Sequence, residues 1–384
     1  MPNHQEANNL EKQQLTLYAA TASGLEALTG QELRDLGYDV AVENGRVNFK
    51  GDMTDVLKTN LWLRTADRIK IILMTFKATT FDDIFDNVKA FGWDQWLSMD
   101  AAFPVNGRSK NSKLHSVPDV QSVTKKAIVS QMAEAYHRKT RFPETGAQFK
   151  LEIALNKDLA TVTLDTTGDS LFKRGYRQEK GAAPLKENFA AALIQLTNWR
   201  ADRPLIDPMC GSGTIPIEAA LMAKNVAPGI NRHFACEAWH PDYAAELVNL
   251  KEMAKTQEKA VDLDITGLDI DGSMIDIARL NANGAGVLHD IIFKQLAVKD
   301  FKTDKQDGVI IVNPPYGQRL GDQKSVRQIY KQMGQVFKPL TSWSKYILTS
   351  DLAFENFYGA KATKKRKLYN GALRTDYFQF WATH

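Results

Sequence analysis

The tetrapeptide Asn313-Pro314-Pro315-Tyr316 directly follows Val309 to Val312, an apolar run that reads as a buried strand. An asparagine amide oxygen and a proline carbonyl then stand as two neighbouring acceptors. That pair suits an amino group attached to an aromatic base, a poor nucleophile because its lone pair is delocalised into the ring. If the Asn313 oxygen and the Pro314 carbonyl each accept one N–H, the nitrogen is held pyramidal and its lone pair is aimed at an electrophilic carbon. The prolines fix φ and stiffen the loop. Tyr316 offers a ring on which a base drawn out of its stack can rest. Chemistry of this kind runs on positioning and electrostatics and calls for no metal and no covalent intermediate. An isolated tetrapeptide of this type would read as a proline-rich turn that ends a strand, so the case rests on what surrounds it.

The electrophile is suggested by a second segment, Leu205-Ile206-Asp207-Pro208-Met209-Cys210-Gly211-Ser212-Gly213-Thr214, which runs into the helical pattern IPIEAALMAK. Gly211 and Gly213 let the backbone turn sharply and approach a ligand, and the helix N-terminus offers free N–H groups to a carboxylate or phosphate. Ile217 stands where a dinucleotide fingerprint needs its third glycine, and the Gly-Lys-Ser/Thr of a phosphate loop is missing. Asp207 would repel a pyrophosphate but suits the ammonium end of S-adenosylmethionine. A later strand end, Asp269-Ile270-Asp271, supplies an acid for ribose hydroxyls, Asp269 being favoured. The stretch between loop and acid exceeds the usual ~20 residues, and a helix inserted in the first crossover accounts for it.

Strands alternating with helices are needed to place these motifs on one rim, and the C-terminal half has that pattern. Candidate strands are Pro204 to Asp207, Ile265 to Ile270, Ile291 to Leu296, Gly308 to Asn313 and Tyr346 to Ser350, with an antiparallel pair, Lys367 to Asn370 and Tyr377 to Trp381, around Asn370-Gly371. The order implies a parallel sheet covered on both faces. Before it lie a Gly-rich basic linker, Gly168 to Lys186, and a helical stretch, Glu187 to Asn198.

The N-terminal half reads as α+β. A strand from Leu15 to Ala20 and a helix from Gly24 to Leu36 precede strands Asp39 to Val42 and Arg46 to Phe49, joined by Asn44-Gly45 as a type I′ turn. From Asn60 to Leu97, helix formers and the aromatics Trp62, Phe81, Phe85, Phe91, Trp93 and Trp96 read as helical core. Residues 103–132 read as a polar basic loop followed by a helix from about Pro118. They carry Arg108, Lys110, Lys113, Lys125 and Lys126, a candidate backbone-phosphate surface, although a solvated charged face has a similar composition. Strands Phe149 to Leu155 and Ala160 to Leu164 form a hairpin around Asn156-Lys157-Asp158. A second basic run, Lys361 with Lys364, Lys365, Arg366 and Lys367, has a solvated charged loop as its commoner reading, and contact with nucleic-acid phosphates beside the reaction site is the expectation here.

With 384 residues the chain exceeds one hydrophobic core, and its net charge of +4 is too mild to select a partner by itself. No apolar run spans a bilayer and the opening residues carry no signal-peptide core, so a cytoplasmic location with no membrane contact is expected. Cys210 and Cys236 form no metal-spaced pair, and no structural metal is expected. The chemistry leaves rivals: adenine N6 of DNA, a glutamine side-chain amide, or a catalytically idle RNA-binding or ribosome-assembly factor that retains the fold.

Several motifs resemble the class I amino methyltransferases, and the whole chain resembles the THUMP-domain RNA methyltransferases, in particular the ribosomal RNA large-subunit methyltransferase L family. They are GLEALTGQEL from Gly24, GRV from Gly45, SKL from Ser112, RFPETG from Arg141, RGYR from Arg174, APLKEN from Ala183, DPMCGSGT, NPPYGQRL and LYNG from Leu368. The resemblance implies an α/β fold, with a Rossmann-like methyltransferase domain on a mostly parallel seven-stranded sheet, preceded by an α+β ferredoxin-like and THUMP region. The expected division is a polar tail over 1–14, a ferredoxin-like piece over 15–65, a THUMP RNA-binding domain over 66–165 and the methyltransferase domain over 166–384. It further implies S-adenosylmethionine as cofactor, Asp207 through Thr214 with Asp269 and Ile270 as its site, and Asn313 through Tyr316 as the reaction site. The implied product is N2-methylguanine in 23S rRNA, naked or in an assembling large subunit, with tRNA guanine-N2 as the alternative. One departure is that Ala297 stands where relatives often have an acid for adenine, which leaves backbone groups or Asp300 for that contact.

Overall fold

The computed structural model describes residues 13–177, 185–316, 322–371 and 373–383. Most of the polar tail, Ala183-Pro184 of the APLKEN motif and residues 317–320 of NPPYGQRL lie outside the described residues. In the N-terminal half the elements run β1 (Leu15–Thr21), α1 (Glu26–Asp35), β2 (Ala41–Glu43), β3 (Arg46–Gly51), α2 (Met53–Trp62), β4 (Ala66–Lys77), α3 (Phe81–Lys89), β5 (Val105–Lys110), α4 (Val117–Ala135), β6 (Lys150–Asn156) and β7 (Leu159–Asp165). They form one sheet in the order β2-β3-β1-β4-β7-β6-β5, so the ferredoxin-like and THUMP stretches are joined through β4 and β7, with Lys70 opposite Asp165. Side chains such as Leu17, Val47, Ile69, Ile153 and Val162 alternate onto one face and are fully buried there under the helices. Helices α2 and α3 both start at capping boxes, Asp52 with Asp55 and Thr80 with Asp83.

Three readings of this half are corrected. The stretch expected to be helical through residues 60–97 contains the twelve-residue strand β4, although Trp93 is fully buried and Phe85, Phe91 and Trp96 pack against the core as half-buried neighbours. Arg108 and Lys110 lie on strand β5, not in a loop. At Asn44-Gly45 only the glycine has positive φ, so the turn is not type I′.

The C-terminal half runs α5 (Glu187–Gln195), β8 (Leu205–Asp207), α6 (Thr214–Ala223), α7 (Pro241–Thr256), β9 (Ile265–Asp269), α8 (Gly272–Gly284), β10 (Ile291–Gln295), β11 (Val309–Val312), α9 (Asp322–Phe337), β12 (Ser344–Thr349), α10 (Phe354–Tyr358), β13 (Lys364–Asn370) and β14 (Leu373–Phe380). The sheet order is β10-β9-β8-β11-β12-β14-β13, with the first five strands mutually parallel, β14 antiparallel to its neighbours on both sides, and β13 running with the first five. This is an α/β, Rossmann-like arrangement.

The long first crossover holds the inserted helix, α7, which packs on α2 of the other half. The two cores exchange residues: Phe234, Cys236 and Leu247 belong to the N-terminal core, while Leu25 is buried in the C-terminal one. Trp239 stacks on Phe149 with ring centroids 4.8 Å apart. No described helix is long and apolar enough to cross a membrane.

Candidate active site

Strands β8 and β11 lie side by side with Ile206 opposite Ile310, and the sheet order grows in opposite directions from that pair. A crevice opens outside the carboxyl ends of strands at such a reversal. Asp207 ends β8 and Asn313 follows β11, which makes the two sequence motifs neighbours on this rim.

Asp207 is buried, and its Oδ1 accepts from the Met209 N–H at 3.2 Å. Burial, reinforced by the nearby acid Asp269, holds its carboxyl well above the usual carboxylate range against that hydrogen bond. A buried acid in this condition gains most from a cationic ligand group, which supplies the compensation that water no longer gives. The methyl donor carries such groups at its amino-acid end.

The loop that follows is fixed from three sides. Gly211 and Gly213 both have positive φ, at 50° and 81°, and Gly213 caps α6. A side chain at Gly213 would meet the Ala278 Cβ at 3.0 Å, so α8 presses close against the turn. Asp269 accepts from Gly211 N at 2.9 Å and from Asp271 N at 3.0 Å, one bond to each oxygen. One lone pair on each oxygen is left for a ribose hydroxyl. Asp271 instead caps α8, accepting from Ser273 N at 2.9 Å. The buried Asn281 donates to Ser212 O at 3.1 Å, and Arg177 donates to the Ser212 and Thr214 hydroxyls at 2.9 and 3.0 Å. The burial of Cys210, with Asp207 and Asp269 nearby, pushes its thiol well up.

Beside this loop is a cavity of about 240 Å³ lined by Pro208, Met209, Asp269, Ile270, Ala297, Val298, Lys299, Ile329 and Gln332. Ile270 is 68% exposed at the mouth of this cavity. Its neighbours Met209, Val298 and Ile329 make the walls fit a flat base. Ala297 contributes to the lining, while Asp300, the other group considered for adenine, is exposed in a short 3₁₀ turn just beyond it. Gln332, from α9, is the side-chain amide in this wall. Arg177, Asn281, Ile329 and Gln332 were not singled out by sequence. Arg177 did lie in a recognisable motif, whereas the α9 pair shows only as part of an amphipathic helix.

At the reaction motif, Pro314 is buried and Asn313 half-buried, and the Tyr316 hydroxyl donates to Asn313 Oδ1. Burial pushes the Tyr316 hydroxyl above its ordinary range, with the neighbouring Tyr330 adding to the effect. Tyr330 bonds the Thr349 hydroxyl at 2.8 Å and reaches Pro315 O at 3.5 Å, tying the loop to β12. Burial pushes Tyr330 up to about 12.

The basic residues do not gather into one patch. Gly107 faces α4, where a Cβ would stand 2.8 Å from the Gln121 Cγ, so Arg108 and Lys110 point to the opposite, open face of the sheet. Arg108 pairs with Glu152 at 3.2 Å. Lys125 and Lys126 are on α4, Lys125 in an ion pair with Glu144 at 2.8 Å and Lys126 over the Phe85 ring. Lys113 is exposed in the loop between, its backbone N–H bonded to Asp158 at 2.7 Å. Lys364, Lys365 and Arg366 are exposed along the edge strand β13, with Lys365 paired to Glu355 at 3.0 Å.

The RMKL-like methyltransferase domain family, UPF0020, matches residues 174–379, more than half of the chain. The chain belongs to this methyltransferase family. The RlmL ferredoxin-like domain matches residues 16–70 of this RMKL-like protein and the THUMP domain residues 78–165. A relative named "Putative RNA methyltransferase YpsC", from Bacillus subtilis (strain 168), is 51% identical over 371 residues, covering 96% of both chains. The structure of SMU.472 complexed with SAH is 50% identical with a TM-score of 0.93, covering 97% of this chain and 99% of that one. A structure from Listeria monocytogenes str. 4b F2365, described as a predicted N6-adenine-specific DNA methylase, is also 50% identical with a TM-score of 0.93, covering 98% of each.

Proposed function

We propose that this chain is an S-adenosylmethionine-dependent RNA methyltransferase that transfers the methyl group to an exocyclic base amino nitrogen, N2 of a guanine in 23S rRNA, in the cytoplasm. The observation that carries the reading is the adjacency, on paired strands, of a buried acid with a glycine loop and of Asn313-Pro314-Pro315-Tyr316. The RNA name of the Bacillus relative and the match to the THUMP domain support RNA over DNA, and the SAH bound to SMU.472 supports the cofactor.

S-adenosylmethionine supplies a methyl carbon on a sulfonium. Pro208, Met209, Asp269 and Ile270 would hold its adenosine in the cavity, Asp207 would meet the ammonium, and the N–H groups before α6 would receive the carboxylate. Asn313 Oδ1 has two lone pairs, one engaged by the Tyr316 hydroxyl, which leaves the second for a substrate N–H. The Pro314 carbonyl takes the other N–H, and the ring of Tyr316 backs the base. Arg108, Lys110, Lys113, Lys125 and Lys126 on one side and Lys364, Lys365 and Arg366 on the other contact RNA phosphates. The domain division at about residues 65 and 165 is part of the same reading.

The test is nucleoside mass spectrometry of 23S rRNA, tRNA and DNA from cells with and without the gene. Loss of N2-methylguanosine from one 23S site is expected. Loss confined to tRNA would move the substrate, and loss of N6-methyladenine from DNA alone would overturn the reading.

A further inference from the structure

Arg177 has no part in the chemistry described above, yet it is nine-tenths buried and spends its whole guanidinium on one place. Its Nε donates to Glu187 Oε1 at 2.8 Å, Nη1 to the Ser212 hydroxyl at 2.9 Å, and Nη2 to the Thr214 hydroxyl at 3.0 Å and the Leu185 carbonyl at 3.2 Å. Glu187 is itself buried. The fork therefore joins the start of α5 to the two hydroxyl residues that flank Gly213. Asp269 and Asn281 hold the same loop by one backbone bond each, to Gly211 N and Ser212 O. The Arg177 fork, by contrast, reaches two of the loop's side chains, the Ser212 and Thr214 hydroxyls. Its positive charge also lies at the first turn of α6, where it adds to the potential that the helix N-terminus offers an anion.

We infer that Arg177 is a positioning residue for the methyl donor, which shapes loop 208–214 through Ser212 and Thr214 so that it receives the amino-acid end of S-adenosylmethionine. The inference rests on that loop being the donor site, as read above. A lysine cannot replace the fork, since a point charge on a flexible stem does not span two hydroxyls, a carboxylate and a carbonyl.

The test compares two ligands by calorimetry. S-adenosylhomocysteine carries the amino-acid tail, and 5′-methylthioadenosine has the same adenosine and thioether without it. Arg177→Gln is expected to weaken S-adenosylhomocysteine by roughly tenfold or more, as for a lost charge-assisted hydrogen bond, and to leave methylthioadenosine within about twofold. Arg177→Lys should recover part of the loss, and Thr214→Val should add nothing further in the Arg177→Gln background. The inference is overturned if folded Arg177→Gln protein binds S-adenosylhomocysteine as the parent does, or if both ligands weaken in proportion. Should Arg177→Gln not fold, Ser212→Ala with Thr214→Val removes the receiving hydroxyls, leaves the Arg177–Glu187 pair and carries the same comparison. Asp269→Ala separates the two readings. If it too binds S-adenosylhomocysteine normally, the donor site has been misplaced; if it loses the ligand while Arg177→Gln keeps it, only the role of Arg177 falls.

Discussion

At the scale of single residues, the proposed reaction depends on Asn313 more than on any other side chain. Asn313→Ala removes one of two acceptors aimed at the amino nitrogen, and kcat should fall by about 100-fold or more, with S-adenosylhomocysteine affinity kept. Single-turnover rates and calorimetry on the same preparation check both halves of that statement. Asp207 gives a pH signature. Its folded carboxyl is raised, so between the ordinary carboxylate range and the raised value the folded protein holds a proton that the unfolded chain has released. Stability of the free protein should therefore fall as pH rises through that window. Binding of a cationic tail favours the ionised acid, so affinity for S-adenosylhomocysteine should rise over the same window. Asp207→Asn should flatten both profiles, which thermal melts and calorimetry across pH would detect. These residues were legible because strand-end acids, paired glycines and an Asn-Pro-Pro-Tyr run are marked by type and order. Arg177 was not marked by order, because its partners Ser212 and Thr214 are more than thirty positions away and only the folded chain brings them together.

At the scale of elements, the C-terminal strands were readable because each is a short apolar run ending in punctuation, as in Val309 to Val312 before Asn313-Pro314. Strand β4 was hidden. It begins with clear alternation, Arg68-Ile69-Lys70-Ile71, but its pairing with β7 shifts register between Ile72 and Met74, which breaks the two-residue period that would have revealed it. Strand β5 was hidden for another reason: its inward positions are Val105, Gly107 and Ser109, so a single apolar residue marks the buried face and no alternation shows. Turn chemistry was overridden by tertiary contacts. Gly45 N is held by Glu26 at 2.9 Å and Gly45 O by Thr21 N at 3.1 Å, while the turn with two positive φ values is formed by Lys157 and Asp158, neither of them glycine. Asp158 is kept there by its bonds to Ser112 and Lys113. The turn at Gly213 has no such freedom. Gly213→Ala combines a left-handed backbone with a contact to Ala278, and should cost about 2 kcal/mol or more in denaturant unfolding. Because α6 starts there, S-adenosylhomocysteine affinity should fall as well.

At the scale of the molecule, the two halves are locked by buried charge as well as by exchanged core residues. Arg174 reaches Glu218 at 3.5 Å and the Arg64 carbonyl at 2.5 Å, Arg64 reaches the Val226 carbonyl at 2.7 Å, and the Tyr176 hydroxyl bonds Glu218 at 3.1 Å. Burial outweighs Arg174 and Arg64 at Glu218, whose carboxyl sits above its ordinary range. Removing one partner of such a cluster leaves the other charge in a dry site, a change that typically costs ~3–5 kcal/mol. Leu25 adds roughly 1.5–3 kcal/mol by its burial in the catalytic core. A linkage of that size makes the chain unfold as one unit, so denaturation followed by Trp fluorescence and by far-UV signal should give coincident transitions for the parent protein. Arg174→Ala should lower the midpoint and separate the two signals as the halves uncouple. The proposed RNA contacts lie on both halves, on β5 and α4 in one and on β13 in the other, whereas the donor crevice lies within the C-terminal half alone. Loosening the junction should accordingly weaken RNA binding far more than S-adenosylhomocysteine binding, and reduce the steepness of its salt dependence as phosphates lose their partners. Equal weakening of both ligands would mean that the junction serves folding only and that RNA is held by one half.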